Sequence, residues 1–279
     1  MKICSNRQKL IVKSMTLWVF FIASPVSAFG IGAVDSMNNQ NITITVVYDN
    51  NTVNNNIGTA WGFSCTIQTS EETILFDTGG EGSLLMENMQ KLNIEPQEID
   101  AMFLSHIHHD HTGGIHSFLN QHPAVTVYMP QSFPRSFKQK ISDYGANVIS
   151  ISECTKLSEQ LFSTGEMGRS IIEQSLIVQS SKGLMIITGC AHPGIIYILS
   201  RIKKSFDDPL FLVLGGFHLV QMGNEDIRNM ISELSDMGVR YVAPCHCSGE
   251  DARRLCREAY NEHYIEIGAG SILETQNLP

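Results

Sequence analysis

In the run Phe103-Leu104-Ser105-His106-Ile107-His108-His109-Asp110-His111-Thr112-Gly113-Gly114, four imidazoles and one carboxylate fall within six residues. Imidazole nitrogen and carboxylate oxygen are donors that divalent transition ions take from proteins. An extended backbone sends residues i and i+2 to one side, so His106 and His108 can grip one ion together. Asp110 and His111 follow at once and could serve a second ion, or Asp110 could aim an activated water. His109 is expected to point away, and Gly113 and Gly114 to let the chain turn sharply from so crowded a site. A solvated histidine-rich loop is the plain alternative; the carboxylate, the spacing and the flanking glycines favour a built site.

The same grammar recurs downstream. Apolar strands are expected to end at Cys190-Ala191-His192, at His218 and at Cys245-His246-Cys247. In layered α/β folds strand ends gather on one edge, where loops assemble the active site. His192 and His246 are therefore read as metal ligands in preference to turn residues. His218 is either a substrate-facing or ligand-supporting residue or a core histidine. Cys190, Cys245 and Cys247 belong to the metal neighbourhood, while Cys65, Cys154 and Cys256 read as buried small apolar residues. A separate zinc knuckle from Cys245, Cys247 and Cys256 lacks a CxxC partner. Asp77 closes an apolar strand and is expected to hold a ligand histidine in one tautomer, or to cap a turn. Arg169, in the loop-like Ser-Thr-Gly-Glu-Met-Gly-Arg stretch, is a candidate anion ligand. His116, His122 and His263 read as surface residues.

Elements that could position these residues follow from periodicity. Strands are expected over 42–48, 61–69, 73–76, 101–104, 125–129, 175–179, 183–188, 210–214, 241–243 and 264–267. Helices are expected over 83–92, 115–120, 195–206, 225–237 with Asn224 as N-cap, and 250–261. Phe133, Phe137 and Tyr144 flank a further helix and are either core or the lining of a substrate entrance. Residues 50–56 read as an exposed loop, and the pattern over 148–168 is weak.

The chain of 279 residues is long enough for an ample core, and its 43% hydrophobic and 17% charged residues are those of a globular protein. A formal charge of -9 without a Lys/Arg-rich block argues against nucleic acid or an anionic membrane as the main partner; the small-molecule substrate expected instead follows from the implied activity below. Lys2, Arg7, Lys9 and Lys13, an apolar stretch over 15–26, and Val26-Ser27-Ala28 have the form of a cleavable leader over 1–28. This predicts a periplasmic or secreted domain over 29–279, with no stable membrane insertion after cleavage; a retained N-terminal anchor is the alternative. No sequence feature specifies an oligomeric state.

Residues 105–114 carry the His-x-His-x-Asp-His pattern, and the chain resembles the metallo-β-lactamase superfamily from about residue 42 to its C-terminus. Ile74-Leu75-Phe76-Asp77-Thr78-Gly79 is similar to the strand that precedes this pattern there. Residues 186–192, 215–219 and 244–249 resemble one branch, named after an archaeal 7,8-dihydropterin-6-yl-methyl-4-(β-D-ribofuranosyl)aminobenzene 5'-phosphate synthase. The resemblance implies an α/β fold, an αββα four-layer sandwich with a metal centre along one sheet edge. It implies two divalent ions, zinc or else iron or manganese: His106 and His108 on the first, Asp110 and His111 on the second, His246 as the second site's last ligand. One departure stands out. No Gly-His-Thr turn precedes Ser175, where the superfamily places its third first-site histidine. Cys190 instead falls where a bridging aspartate usually ends a strand, and His192, two residues on, can replace the missing ligand; otherwise neither ion is bound in the ordinary way.

The implied activity is hydrolysis of a small phosphate ester, phosphodiester or lactone-like substrate by a metal-bound water that Asp110 orients. β-Lactam hydrolysis is not expected. A dihydropterin-type condensation and a non-catalytic metal-dependent binding protein are the two alternatives.

Overall fold

The structure, a computed structural model, describes residues 41–279; the expected leader lies outside them. Among the described residues no helix is long and apolar enough to cross a membrane.

Seven strands form the first sheet: β1 (Thr43–Tyr48), β2 (Ser64–Gln68), β3 (Thr73–Phe76), β4 (Ala101–Phe103), β5 (Thr126–Pro130), β6 (Asn147–Ile151) and β13 (Ile272–Glu274), in the order β13-β1-β2-β3-β4-β5-β6. Six form the second: β7 (Thr155–Lys156), β8 (Leu161–Ser163), β9 (Leu176–Ser180), β10 (Gly183–Thr188), β11 (Leu210–Gly216) and β12 (Tyr241–Cys245), in the order β12-β11-β10-β9-β8-β7. Side chains alternate across each strand, and β10 shows what the alternation does. Its Met185 and Ile187 enter the core between the sheets, with Ile44, Phe76, Phe103 and Leu214. Leu184 and Ile186 point the other way, against α5 (Ile195–Ile202), α6 (Asn224–Asp236) and α7 (Glu250–Tyr260). The first sheet's outer face is covered likewise by α1 (Gly82–Lys91), α3 (Ile115–Gln121) and α4 (Arg135–Asp143), through Leu85, Met89, Phe118 and Ile141. The result is the αββα sandwich. A strand such as β10, buried on both faces, must read as a continuous apolar run.

Direction matters more for the site. β3, β4, β5 and β6 run parallel, as do β10, β11 and β12. The carboxyl ends of β3 and β4 and of β10, β11 and β12 deliver the candidate residues to one edge of the sandwich.

Four expectations need correction. Residues 264–267 make only an isolated bridge from Tyr264 to Val242; the last strand is β13, because Ala269 bonds back to Asn51 and Gly270 and Ser271 to Val46, carrying the chain to the edge of β1. The weak stretch over 148–168 holds most of β6 and all of β7, which are largely exposed, and β8, which is buried throughout but only three residues long. For Phe133, Phe137 and Tyr144 the substrate-entrance alternative gives way to the core one: they pack into the cluster under α4. Gly113 and Gly114 turn nothing sharply: both have helical φ, and a Cβ would sit 2.1 Å from Gly80 O or 2.2 Å from Thr78 O, so they are needed for close approach.

Candidate metal centre

β4 ends three residues before His106, and β3 ends at Phe76, just before Asp77, whose φ of +52° turns its carboxylate inward. Asp77 Oδ1 accepts the Ser105 N–H (2.7 Å), and Oδ2 accepts the Ser105 hydroxyl (2.6 Å) and His111 Nδ1–H (2.7 Å). With its single proton committed to Asp77, the Ser105 hydroxyl can only accept from His106 Nδ1, 2.9 Å away. One buried carboxylate thus assigns both tautomers, leaving Nε2 of His106 and of His111 with a lone pair. His108 Nδ1 lies 3.2 Å from His106 Nε2. His109 and Asp110 begin the single helical turn α2 (His109–Thr112); His109 is exposed, and Asp110 faces the cluster.

The second sheet supplies the rest. The turn after β10 brings His192 to ring distances of 4.8 Å from His106 and 4.9 Å from His108. The turn after β12 brings the His246 ring to 5.0 Å from that of His111 and its Nε2 to 3.3 Å from Asp110 Oδ2. Two donor sets result, His106–His108–His192 and Asp110–His111–His246, each with its ligand atoms within 4.8 Å of one another. A third set, His106–His111–Cys190, joins them, with Cys190 Sγ 3.2 Å from His111 Nε2.

These residues fit metal ions on their own electrostatics. His246 donates Nδ1–H to Asn50 Oδ1 (2.9 Å), so its buried Nε2 presents a lone pair to the Asp110 carboxylate and has no hydrogen-bond partner. His192 Nε2 is likewise buried and unpartnered. Electron-rich atoms brought together without protons between them are stable only around a cation. Burial first, then the neighbouring imidazoles, hold His106 well below the usual range and His192 at about 4, so both offer neutral nitrogen at pH 7. Burial opposes ionisation of Asp110, but when His246 and His111 carry protons in place of an ion they outweigh it and hold the carboxyl below its usual range. Burial would likewise lower His111, but the Asp77 carboxylate outweighs it and raises it.

Several supporting residues escaped the sequence reading. Fully buried Glu173 accepts the N–H groups of Cys190 (3.0 Å), Ala191 (2.9 Å) and His192 (2.9 Å), fixing that whole turn with one carboxylate. It sits just before Ser175, where the third histidine was sought. The only signal was an acid following Ile171-Ile172 at a strand start. Two residues of the segment expected as an exposed loop, 50–56, also reach the centre: Asn50 Oδ1 accepts from His246 Nδ1 (2.9 Å), and Asn51 links Arg253 to Asp49, the residue just before the loop, whose Oδ2 accepts His246 N–H (3.0 Å). Trp61, expected in a strand, stands in the preceding loop with its ring 4.8 Å from that of His246.

The remaining candidates divide. Arg169 lies with Ser170, His192 and Tyr197 around a cleft of about 380 Å³ beside the centre. His218 is exposed, which excludes the core reading, and its ring packs 4.4 Å from that of His192. Cys247 is buried next to Cys190. Cys245 turns away, into the core between the sheets with Cys65. Cys256 is buried among the outer helices, whereas Cys154 is half-buried. His116 is exposed, but His122 and His263 are half-buried against Phe118 and Tyr241.

Residues 63–198 match the model of the metallo-beta-lactamase superfamily. That match and the two-sheet architecture give the chain the metallo-beta-lactamase fold. It is similar to a 7,8-dihydropterin-6-methyl-4-(beta-D-ribofuranosyl)-aminobenzene-5'-phosphate synthase of Methanocaldococcus jannaschii, 28% identical over 249 residues, covering 73% of this chain and 85% of that one. Among solved structures it resembles Tm1679, described as a metal-dependent hydrolase of the beta-lactamase superfamily: TM-score 0.71, 26% identity, 84% of this chain and 99% of the other. Human tRNase Z, short form, shares the fold (TM-score 0.57, 14% identity, 85% of this chain and 99% of the other).

Proposed function

We propose that this chain is an exported metal-dependent hydrolase, periplasmic or secreted, acting on a small phosphate ester, phosphodiester or lactone-like substrate. The observation that carries the reading is the pair of donor sets with unprotonated nitrogens facing inward, and Asp110 between them with an ionised carboxylate 21% exposed. Divalent ions held there, zinc or else iron or manganese, would lower the pKa of water and offset negative charge developing on a phosphoryl or acyl oxygen. The chain's own part is positional. Asp110 accepts one proton of the attacking water as a hydrogen bond and so turns a lone pair towards the substrate. Asp77 and Asn50 hold His111 and His246 in the tautomers that leave Nε2 free. Arg169 offers a guanidinium to an anionic group seated in the cleft beside His192. The likeness to Tm1679 supports hydrolysis.

The likeness to the archaeal synthase supports a second reading, a metal-assisted condensation on a dihydropterin. Purified mature protein, screened against phosphodiesters, phosphomonoesters and lactones with and without chelator, tests the first. Chelator-sensitive hydrolysis that falls by about 10²-fold or more in Asp110→Ala is expected. Unchanged turnover in that variant sinks the proposed role of Asp110, and condensation without hydrolysis selects the second reading.

A further inference from the structure

The two donor sets leave two side chains of the same edge unused. Cys247 is 2% exposed, and its Sγ fills the space that a side chain at Gly216 would take: a Cβ there would lie 2.6 Å from that sulfur and 3.2 Å from Cys190 Cα. The Cys247 thiol points at Cys190 O, 3.8 Å away. His218 is held at a φ of +54°, a conformation that residues other than glycine rarely adopt. That backbone turns its imidazole over Cys247 and against His192. The three turns involved are tied together by their main chains. Gly216 N donates to Gly189 O (3.1 Å), Leu219 N to Cys247 O (3.1 Å), and Phe217 N to Ser248 Oγ (3.0 Å). Packing alone would ask only for small apolar residues at 190 and 247. It does not call for an imidazole brought to the same point by an unusual backbone.

We propose that Cys190, Cys247 and His218 form a third cation site, beside the two donor sets already described, that takes one thiophilic divalent ion. Their donor atoms lie within 4.8 Å of one another, and drawing in by about 1 Å would meet zinc–sulfur bonds of about 2.3 Å and a zinc–nitrogen bond of about 2.0 Å. Two thiolates and one imidazole select zinc or cadmium over magnesium, calcium or manganese. Because His218 is exposed while both cysteines are buried, the fourth position faces solvent. Cys190 can contribute its sulfur to this site while still facing His111, as a bridging thiolate. Nothing in this placement requires the protein to be a hydrolase.

The test is metal stoichiometry of the reduced mature protein, measured anaerobically by elemental analysis with zinc and by absorption during cobalt(II) titration. Wild type is expected to bind three equivalents. Cys247→Ser and His218→Ala are each expected to bind two, and Cys247→Ser to lose part of the thiolate-to-cobalt absorption. His218 is exposed, so its replacement leaves a folded protein to measure. Saturation of wild type at two equivalents overturns the proposal, as do three equivalents in both variants. A Cys190–Cys247 disulfide in the protein as isolated overturns it too and makes the pair a redox element. All these readouts are independent of whether the hydrolytic reading succeeds.

Discussion

The two halves of the metal edge are built by opposite means. On the first sheet, His106, His108, Asp110 and His111 lie within six residues, and one carboxylate, Asp77, orders them by hydrogen bonds to Ser105 and His111. On the second sheet, His192, His218 and His246 come from three separate strand ends. Their turns are held by backbone: Glu173 grips three amides of one, and Ala191, His218 and His246 all have positive φ. The sets His106–His108–His192 and Asp110–His111–His246 each take ligands from both halves. The first half is therefore a prepared chelate, and the second a clamp that closes on it. Disturbing either should cost metal, by different routes.

Asp77→Ala is expected to have the largest effect. It leaves two buried N–H groups and a buried hydroxyl without their acceptor, at about 1–3 kcal/mol each where no water reaches them. A loss of about 3–5 kcal/mol of stability, with both ions bound weakly, should appear in denaturant titration and elemental analysis. Retention of two ions at wild-type affinity would contradict the view that one carboxylate sets both tautomers. Glu173→Gln tests the other half more gently. One carboxamide oxygen can still accept from Cys190 and Ala191, but its NH₂ then meets the His192 N–H. The expected cost is about 1–3 kcal/mol, with the ion of His106, His108 and His192 released before the other. Equal loss of both ions would show that the clamp is not local to His192.

Acid should separate the two donor sets without mutation. His192 and His106 are depressed by burial and by their neighbours, so the unfolded chain takes up protons near pH 6.5 that the folded, metal-free protein refuses. Stability of the metal-free protein must therefore fall as pH drops from about 6.5 towards 4. His111 works oppositely: Asp77 raises it, so its contribution is present below pH 6.5 and is lost as pH climbs through its raised value. Melting temperatures of chelated protein across this range should slope down towards acid, and less steeply in His192→Ala. An identical slope in that variant would remove His192 from the account.

This contrast also explains what the sequence could reveal. β10 and β11 are buried on both faces and β3 lies mid-sheet, so their apolar runs and glycine-marked ends were plain. The edge strands β6 and β7 were not, because exposed residues along them leave no alternation to read, and β8 has only three residues, too few to show a period. The compact cluster announced itself by spacing, and His192 and His246 by their place after apolar runs. Glu173, Asp49 and Asn50 gave no such sign. Each acts through one hydrogen bond or a few across the fold, between residues as far apart as 17 to 197 positions, and no local pattern encodes such a pairing.

Trp61 offers the smallest and most selective perturbation. Its ring lies 4.8 Å from that of His246 at a 55° tilt and is 52% exposed, so it covers the second-sheet side of the centre without being needed for the core. Trp61→Ala should change stability by no more than about 0.5 kcal/mol and leave the donor sets filled. An exposed indole beside the metal edge offers a face to a flat group of a bound molecule, an interaction of about 0.5–1.5 kcal/mol. In the hydrolytic reading KM should therefore rise about two- to ten-fold for a phosphodiester with an aryl non-leaving group. It should barely move for its methyl counterpart carrying the same leaving group. If both rise equally, Trp61 acts by steadying His246; if neither does, the substrate lies on the Arg169 side of the centre.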